Sequence, residues 1–272
     1  MTYTIDLSGK VAVVTGGSGV LGAAMCRGLA QAGAAVVILG TTDEKTAALA
    51  EEIKAEGGKA VGFAADVVDR TSVEAAATRI MSEFGRVDIL INCAGGNNQA
   101  AVTSPTKTFF DIPEEAVKSV FDLNYLGTFM PSQVFGKIMV QQDEGVIINI
   151  SSMSAYQPIT RVPAYSGSKA AISNFTQWLA VYFAQEYSPN IRVNAIAPGF
   201  FVTNQNRRML IDEATGELTE RGQKIITHTP MNRFGEPDEL IGTLLYLVSD
   251  GARFVTGTVI PVDGGFMAYK GV

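Results

Sequence analysis

Histidine and cysteine are nearly absent: His228 is the single histidine of 272 residues, and Cys26 and Cys93 are the only cysteines. One histidine excludes a multi-histidine metal centre and makes any Ser-His-Asp triad depend on that one position. No metal is expected. The two cysteines lie far apart and form no Cys-x-x-Cys pattern, which fits a reducing compartment and two small buried side chains, with no disulfide. Charge is scarce as well. Asp, Glu, Lys and Arg make up 18% of the chain and hydrophobic residues 47%, whereas an average globular protein is about 25% charged. The surplus apolar surface points to subunit contacts. Lys+Arg 21 against Asp+Glu 27 leaves a net charge of −6 with no basic stretch to offset it locally, which argues against nucleic acid as a partner. No apolar run approaches the ~18 residues of a membrane span, and residues 1–10 lack a basic start followed by an apolar run. The reading is a cytoplasmic protein with no membrane partner.

Against those absences stands a regular alternation. Short β-branched runs at 11–14, 36–39, 60–63, 89–91, 146–150, 191–195 and 259–262 each read as a buried strand. Between them lie helical patterns, such as Leu21, Met25 and Leu29 at steps of four, Leu49 and Ile53, and Val73, Ala77, Ile80 and Met81. Continuous apolar strands joined by helical crossovers predict a Rossmann-like, doubly wound parallel sheet with helices on both faces. The length is near the upper size that one hydrophobic core serves, so residues 1–272 are read as a single dinucleotide-binding and catalytic domain. Two segments break the rhythm, 95–113 and the polar stretch 200–236 that carries Arg207, Arg208, Arg221, Lys224 and His228. Both follow strands, where open α/β sheets bind ligands, so they are read as coverings of a site, with a substrate lid around 200–236.

The first strand runs into Thr15-Gly16-Gly17-Ser18-Gly19-Val20-Leu21-Gly22, in which Gly17, Gly19 and Gly22 satisfy G-x-G-x-x-G between a strand and a helix. Missing side chains let backbone approach a pyrophosphate, and free N–H groups at the helix start favour its charge. An acid that takes the ribose hydroxyl of NAD usually ends the second strand. Here that place reads Gly40-Thr41-Thr42, with neither the acid nor an arginine for the 2′-phosphate of NADP. Asp43 and Lys45 read as the first turn of a helix, a cap and a solvated charge. NAD is the expected cofactor, weakly preferred, with NADP left open.

Tyr165-Ser166-Gly167-Ser168-Lys169 puts a phenol and an ammonium four residues apart, on one helix face. A free phenol with a pKa near ~10 is a poor base at neutral pH, and an adjacent cation stabilises phenolate. Alone, such a pair is common on helices. Four further matches join it, and together the sequence resembles the short-chain dehydrogenase/reductase family over essentially its whole length. Asn92-Cys93-Ala94-Gly95 resembles the family's Asn-Asn-Ala-Gly segment, and Asp66-Val67 its adenine-contacting acid. Asn124 resembles its active-site asparagine, and Ser152, thirteen residues before Tyr165, its catalytic serine. Pro198-Gly199 and Thr203 resemble the segment that touches the nicotinamide carboxamide. The resemblance implies cofactor contacts at Gly16, Gly17, Ser18, Gly19, Val20, Leu21, Thr41, Asp66, Val67, Asn92, Ala94, Gly95, Tyr165, Lys169, Pro198, Gly199 and Thr203. It implies a substrate hydrogen bond from Ser152 and proton transfer by Tyr165. Lys169 is then expected to lower the tyrosine pKa and grip the ribose, and Asn124 to hold a relay water. One departure stands out: the family's middle loop glycine falls at position 20, which here is valine, so the pyrophosphate contacts are expected to shift.

Within the family, stretches 95–98, 173–183, 198–203 and 262–269 resemble the subgroup that interconverts D-mannonate and D-fructuronate. That resemblance implies a sugar-acid substrate, whose carboxylate needs donors and whose hydroxyls need amides; Asn97, Asn98, Gln157, Arg161 and Arg207 flank the site and are the candidates. Other sugar-acid or polyol dehydrogenases share much of this frame, and a nucleotide sensor without chemistry would show a broken catalytic set, which this chain lacks. An acyl-carrier reductase would need a basic patch, and none is apparent. The apolar end from 256 to 269 resembles the strand and tail that pair subunits in the family, so a homotetramer is expected.

Overall fold

Side chains alternate across a strand, and here that alternation builds two cores. In β1 (Val11–Thr15) Ala12 and Val14 pack on one side of the sheet, and Val11 and Val13 on the other. The computed structural model describes residues 4–204 and 206–271. After β1 come α1 (Val20–Gln31), β2 (Ala35–Gly40), α2 (Asp43–Ala55), β3 (Lys59–Ala64), α3 (Arg70–Phe84) and β4 (Ile89–Asn92). Then follow α4 (Glu114–Phe121), α5 (Gly127–Gln142), β5 (Gly145–Ile150), α6 (Pro163–Glu186) and β6 (Ile191–Pro198). The chain finishes through α7 (Arg207–Leu210), α8 (Glu220–Thr227), α9 (Ile241–Val248) and β7 (Val259–Val262).

Among the described residues seven strands form one sheet in the order β3-β2-β1-β4-β5-β6-β7, every pair parallel. Helices α1, α2 and α9 bury Met25, Leu29, Leu49, Ile53, Leu244 and Leu247 on one face. On the other face α3, α5 and α6 bury Val73, Ile80, Phe135, Met139, Phe175 and Phe183. Each such side chain contributes roughly 1.5–3 kcal/mol relative to exposure. The doubly wound class read from the sequence is the class observed, and all seven strands lie where the apolar runs place them.

Two corrections concern burial. Strands β3 and β7 are the sheet edges, with one neighbour each, and are only partly buried, so the fully buried reading holds for the five inner strands. Cys26 is buried as expected, but Cys93 is only partly so, because it follows the last residue of β4 at the open carboxyl edge; both thiols are free. The irregular segments carry short elements of their own. Residues 95–113 hold two single helical turns, Gln99–Ala101 and Phe109–Asp111. In 200–236 a bridge between Ile211 and Leu218 ties α7 to α8 as a small hairpin. Among the described residues no helix is long and apolar enough to cross a membrane, and no group of three or more metal-ligating side chains occurs.

Candidate active site

The strand order reverses between β1 and β4, and the crevice that opens there is framed by Thr15. Its hydroxyl accepts hydrogen bonds from the N–H groups of Cys93 and Ala94, both at 3.2 Å, and donates to the Ile91 carbonyl at 3.4 Å. Gly16 follows with φ +62°, and a Cβ built there would stand 2.7 Å from the Cα of Ala94. A Cβ at Gly22 would stand 2.3 Å from the Gly16 carbonyl oxygen, so helix α1 can pack against the loop only without a side chain at that position. Helix α1 begins at Val20 with Gly19 as its N-cap and no side-chain cap, which leaves first-turn N–H groups unpartnered by side chains. This cradle fits a pyrophosphate. Val20 occupies the first helical position without a positive φ, so the departure from the family loop carries no backbone strain.

Beyond β2, Thr41 is exposed at the loop end. Asp43, the nearest acid, is engaged elsewhere: its carboxylate accepts from the Ala64 N–H at 3.1 Å and ties α2 to the end of β3. Asp66 is exposed and accepts from the Val68 N–H at 3.0 Å, while Val67 is buried against Gly127. The Asn92 carboxamide lies in the core, donating to Ser132 Oγ at 2.9 Å and Asn149 Oδ1 at 2.8 Å, with its own Oδ1 unpartnered among the described residues. Pro198 ends β6, and Gly199 N donates to the Val262 carbonyl at 2.9 Å; Thr203 N is held by Asn206 Oδ1 at 2.8 Å.

Ser152 leaves β5 in a single helical turn and accepts from the Ser154 N–H at 3.2 Å. Its hydroxyl also hydrogen-bonds the phenol of Tyr165. Pro163 at the first position of α6 presets the helix start, and Lys169 follows Tyr165 one turn on. Its Nζ donates to the Ile150 carbonyl at 2.7 Å and lies 5.6 Å from the Tyr165 ring centroid. Asn124 sits in a π-type turn, Asp122–Leu126, between α4 and α5. Its Nδ2 donates to the Gly96 carbonyl at 2.7 Å and the Val120 carbonyl at 2.8 Å, and its Oδ1 accepts from Gly96 N at 3.2 Å. A Cβ at Gly95 would stand 2.8 Å from Asn124 Oδ1 and 3.3 Å from Lys169 Nζ, so three of the sequence candidates meet at one point. Ser151 is turned away, bonded to Ser173 at 2.7 Å and the Lys169 carbonyl at 3.2 Å.

The electrostatics depart from expectation. Burial pushes the Tyr165 phenol above its ordinary value, and the Ser152 hydrogen bond only partly opposes this. The same burial lowers Lys169 to about 8 and raises the Cys93 thiol to about 11, leaving the thiol protonated at neutral pH. Desolvation disfavours whichever form is charged, and it outweighs an ammonium whose proton is aimed at a backbone carbonyl.

The substrate candidates do not all converge. Asn98 is occupied within its loop: Oδ1 accepts from Ala100 N and Nδ2 donates to Ser119 Oγ, both at 2.8 Å. Asn97 Oδ1 accepts from Asn98 N at 2.9 Å. Gln157 Nε2 donates to the Met267 carbonyl at 3.0 Å, joining the loop after β5 to the tail. Arg161 is exposed, with φ +78°, and its carbonyl accepts from Thr103 N at 3.0 Å. Arg207 is exposed at the start of α7, and Arg208 pairs with Glu213 at 2.8 Å in open solvent. Sequence reasoning missed Thr15 as the frame of the crevice, the Ile150 carbonyl as the anchor of Lys169, and the contact of Arg221 with Thr160. All three depend on contacts between residues 19 to 79 positions apart, for which no local pattern exists.

Comparison with known proteins gives a consistent set. The short chain dehydrogenase family matches residues 10–214. The uncharacterized oxidoreductase UxuB of Bacillus subtilis is 53% identical over 276 residues, covering 98% of each chain. A Haemophilus influenzae structure with bound NAD, provisionally assigned as a D-mannonate oxidoreductase, is 47% identical with a TM-score of 0.92 and covers 98% of each chain. A gluconate 5-dehydrogenase from Burkholderia cenocepacia, in complex with NADP and tartrate, is 31% identical with a TM-score of 0.87, covering 97% of this chain and 98% of that one.

Proposed function

The chain belongs to the short-chain dehydrogenase family and is an NAD(P)-dependent oxidoreductase, and from that premise we propose that it interconverts D-mannonate and D-fructuronate. The observation that carries the reading is the meeting of Ser152, Tyr165 and Lys169 beside the glycine cradle, in a chain whose 95–98, 173–183, 198–203 and 262–269 runs resemble the mannonate subgroup. The relative from Haemophilus influenzae supports the substrate, and the gluconate enzyme supports the broader sugar-acid class.

A nicotinamide nucleotide, with its pyrophosphate held by the glycine cradle, would supply or receive the hydride. In the proposed mechanism Ser152 donates a hydrogen bond to the substrate oxygen, and Tyr165 gives that oxygen its proton in reduction or takes it in oxidation. Because burial raises the phenol, Tyr165 rests protonated at neutral pH, the state reduction requires. Lys169, anchored on the Ile150 carbonyl, would hold the nicotinamide ribose, and Asn124, which fixes Gly96, would hold a relay water. The remaining cofactor candidates would receive the rest of the nucleotide, Asn92 and Val67 from buried positions, with residues 200–236 as the lid of a single 1–272 domain. NAD is the preferred cofactor by a small margin: Thr41 neither attracts nor repels a 2′-phosphate. Trp178, Val181 and Tyr182 on α6, and Tyr269 in the tail, are exposed apolar surface that supports a homotetramer; a monomer by light scattering at micromolar concentration would overturn that assembly. A cytoplasmic setting fits the free thiols.

A panel of sugar acids and their keto forms, assayed with NADH and NADPH, tests the reading. D-fructuronate should be reduced with the highest efficiency, and the two cofactors should differ by less than about tenfold, one pKa-unit equivalent of binding energy. Better reduction of neutral ketoses or acyl thioesters would overturn the substrate class, and a tenfold or greater advantage for NADPH would reverse the cofactor preference.

The pH profile tests Lys169. The ammonium carries its charge below about 8 and loses it above, whereas the raised phenol keeps its proton through that range. The efficiency of reduction should therefore be level near neutrality and fall along an alkaline limb beginning near pH 8. Lys169→Arg, which holds its charge at all accessible pH values, should retain less activity but shift the limb upward. A limb that stays in place would remove Lys169 as its source.

A further inference from the structure

The tail after β7 forms a turn that touches three parts of the candidate site at once. Asp263 opens it, and its carboxylate accepts from the N–H groups of Gly265 at 2.9 Å and Met267 at 2.8 Å, one oxygen to each. Gly264 and Gly265 have φ +64° and +87°, a conformation that side chains strain. The first contact is with the end of β6: a Cβ at Gly199 would stand 2.7 Å from the Cα of Asp263, so the turn backs the segment expected to meet the nicotinamide. The second is with both ends of the 200–236 segment. Met231 N donates to the Gly264 carbonyl at 3.2 Å just after α8, and the Phe200 and Phe266 rings meet edge to face with centroids 5.3 Å apart. Those two ends are also joined to each other, Gly235 N donating to the Phe200 carbonyl at 2.9 Å.

The third contact spans 110 positions, from Gln157 Nε2 to the Met267 carbonyl at 3.0 Å. Gln157 closes the turn that Ser152 opens: its N–H donates to the Met153 carbonyl at 3.1 Å, and Ala155 N donates to the Ser152 carbonyl at 3.0 Å. Hydrogen bonds therefore run from the ends of 200–236 through the tail to the turn that carries the catalytic serine. The far side of the same loop is tied to α8 by Arg221, which donates to the Thr160 hydroxyl at 3.1 Å and carbonyl at 3.2 Å.

We propose that the tail turn couples the lid to the serine turn so that the two move as one body, an inference that rests on the reading of 200–236 as a lid. Gln157 is then a positioning residue that acts through Met267, since its amide donor is spent on the tail and not on substrate. Asp263 supports it by holding the Met267 N–H and with it the carbonyl that Gln157 meets.

Limited trypsin digestion and steady-state kinetics test the coupling in Gln157→Leu, which keeps a similar volume and removes the donor, and Gln157→Lys, which restores one. Arg207, Arg208 and Lys224 are exposed tryptic sites within 200–236. Without ligands, Gln157→Leu should speed cleavage at those sites by about three- to tenfold, the scale of one lost hydrogen bond, with cleavage elsewhere and the melting temperature close to wild type. NADH with D-mannonate, both already reduced and unable to react, should protect 200–236 in wild type and far less in Gln157→Leu. In the reduction of D-fructuronate kcat should fall by a similar factor in Gln157→Leu with NADH affinity unchanged, and Gln157→Lys should recover most of each effect. Lid cleavage within twofold of wild type in Gln157→Leu, or an equal rise at sites throughout the chain, overturns the coupling and leaves the lid standing. A wild type that reduces D-fructuronate yet gains no protection from the pair overturns the lid and the coupling with it. A wild type that accepts no sugar acid overturns the substrate class, and the digestion without ligands then decides the coupling alone.

Discussion

Tyr165→Phe is expected to lower turnover by about 10²–10⁴-fold, the range of general acid–base contributions, while NADH affinity and folding stay close to wild type. The substitution removes one oxygen and leaves the ring, which packs against the small cluster of Ala101, Ala116, Val120 and Ala164. No cavity forms. The one bond lost inside the protein is that to Ser152, and a single intramolecular hydrogen bond contributes only ~0.5–1.5 kcal/mol net. That bounds the fall in melting temperature to a few degrees, since ~1 kcal/mol moves a chain of this size by roughly 2–4 °C. Nucleotide binding by fluorescence titration, melting by calorimetry and turnover on D-fructuronate separate the effects. Turnover within tenfold of wild type would remove Tyr165 from proton transfer, whatever the fate of stability.

What could be read beforehand was what repeats locally. The side-chain period of two marks Ala12 and Val14 against Val11 and Val13, and the same alternation continues into Val36 and Ile38 against Val37 and Leu39, so the layers follow from composition along each strand. The Tyr165–Lys169 spacing and the glycines of 16–22 are also local patterns. The edge character of β3 and β7 was not legible, because being an edge is a property of the whole strand order and not of the strand. Thr15 could not be singled out for a similar reason: a threonine at the end of a buried strand is ordinary until β4 delivers two N–H groups to it. The direction of the Tyr165 shift was missed for a different cause. Helical spacing shows that an ammonium is near, but the pKa depends on where that ammonium donates and how much water is excluded. In the folded chain Lys169 donates to Ile150 and both groups are shielded, so burial outweighs attraction. Asp43 illustrates the same limit: its side chain is committed to Ala64, a contact 21 residues away.

The glycine loop gives the second large expected effect, and it separates two glycines that the sequence motif treats alike. At Gly22 an added Cβ would meet backbone on two sides, the Gly16 carbonyl oxygen at 2.3 Å and the Gly17 Cα at 2.8 Å. Neither can rotate away, so the loop or the first turn of α1 must move. Alanine would otherwise favour the helix by up to ~1 kcal/mol, whereas overpacking of this kind costs typically 1–3 kcal/mol. The displacement falls on the N–H groups proposed to receive the pyrophosphate. Gly22→Ala should therefore weaken NADH binding by about 10–100-fold, a loss of ~1.4–2.7 kcal/mol, with a smaller loss of stability. At Gly19 the only near atom among the described residues is the Gly16 carbonyl oxygen at 3.3 Å, and the backbone, φ −77° and ψ 168°, suits any residue. Gly19→Ala should change NADH affinity by no more than a few-fold. Equal sensitivity at the two positions would mean that the nucleotide approaches Gly19 as closely as a G-x-G-x-x-G reading implies. Tolerance at 19 with loss at 22 would mean that the essential approach is that of the loop backbone to α1, which explains how valine can stand at position 20 without strain.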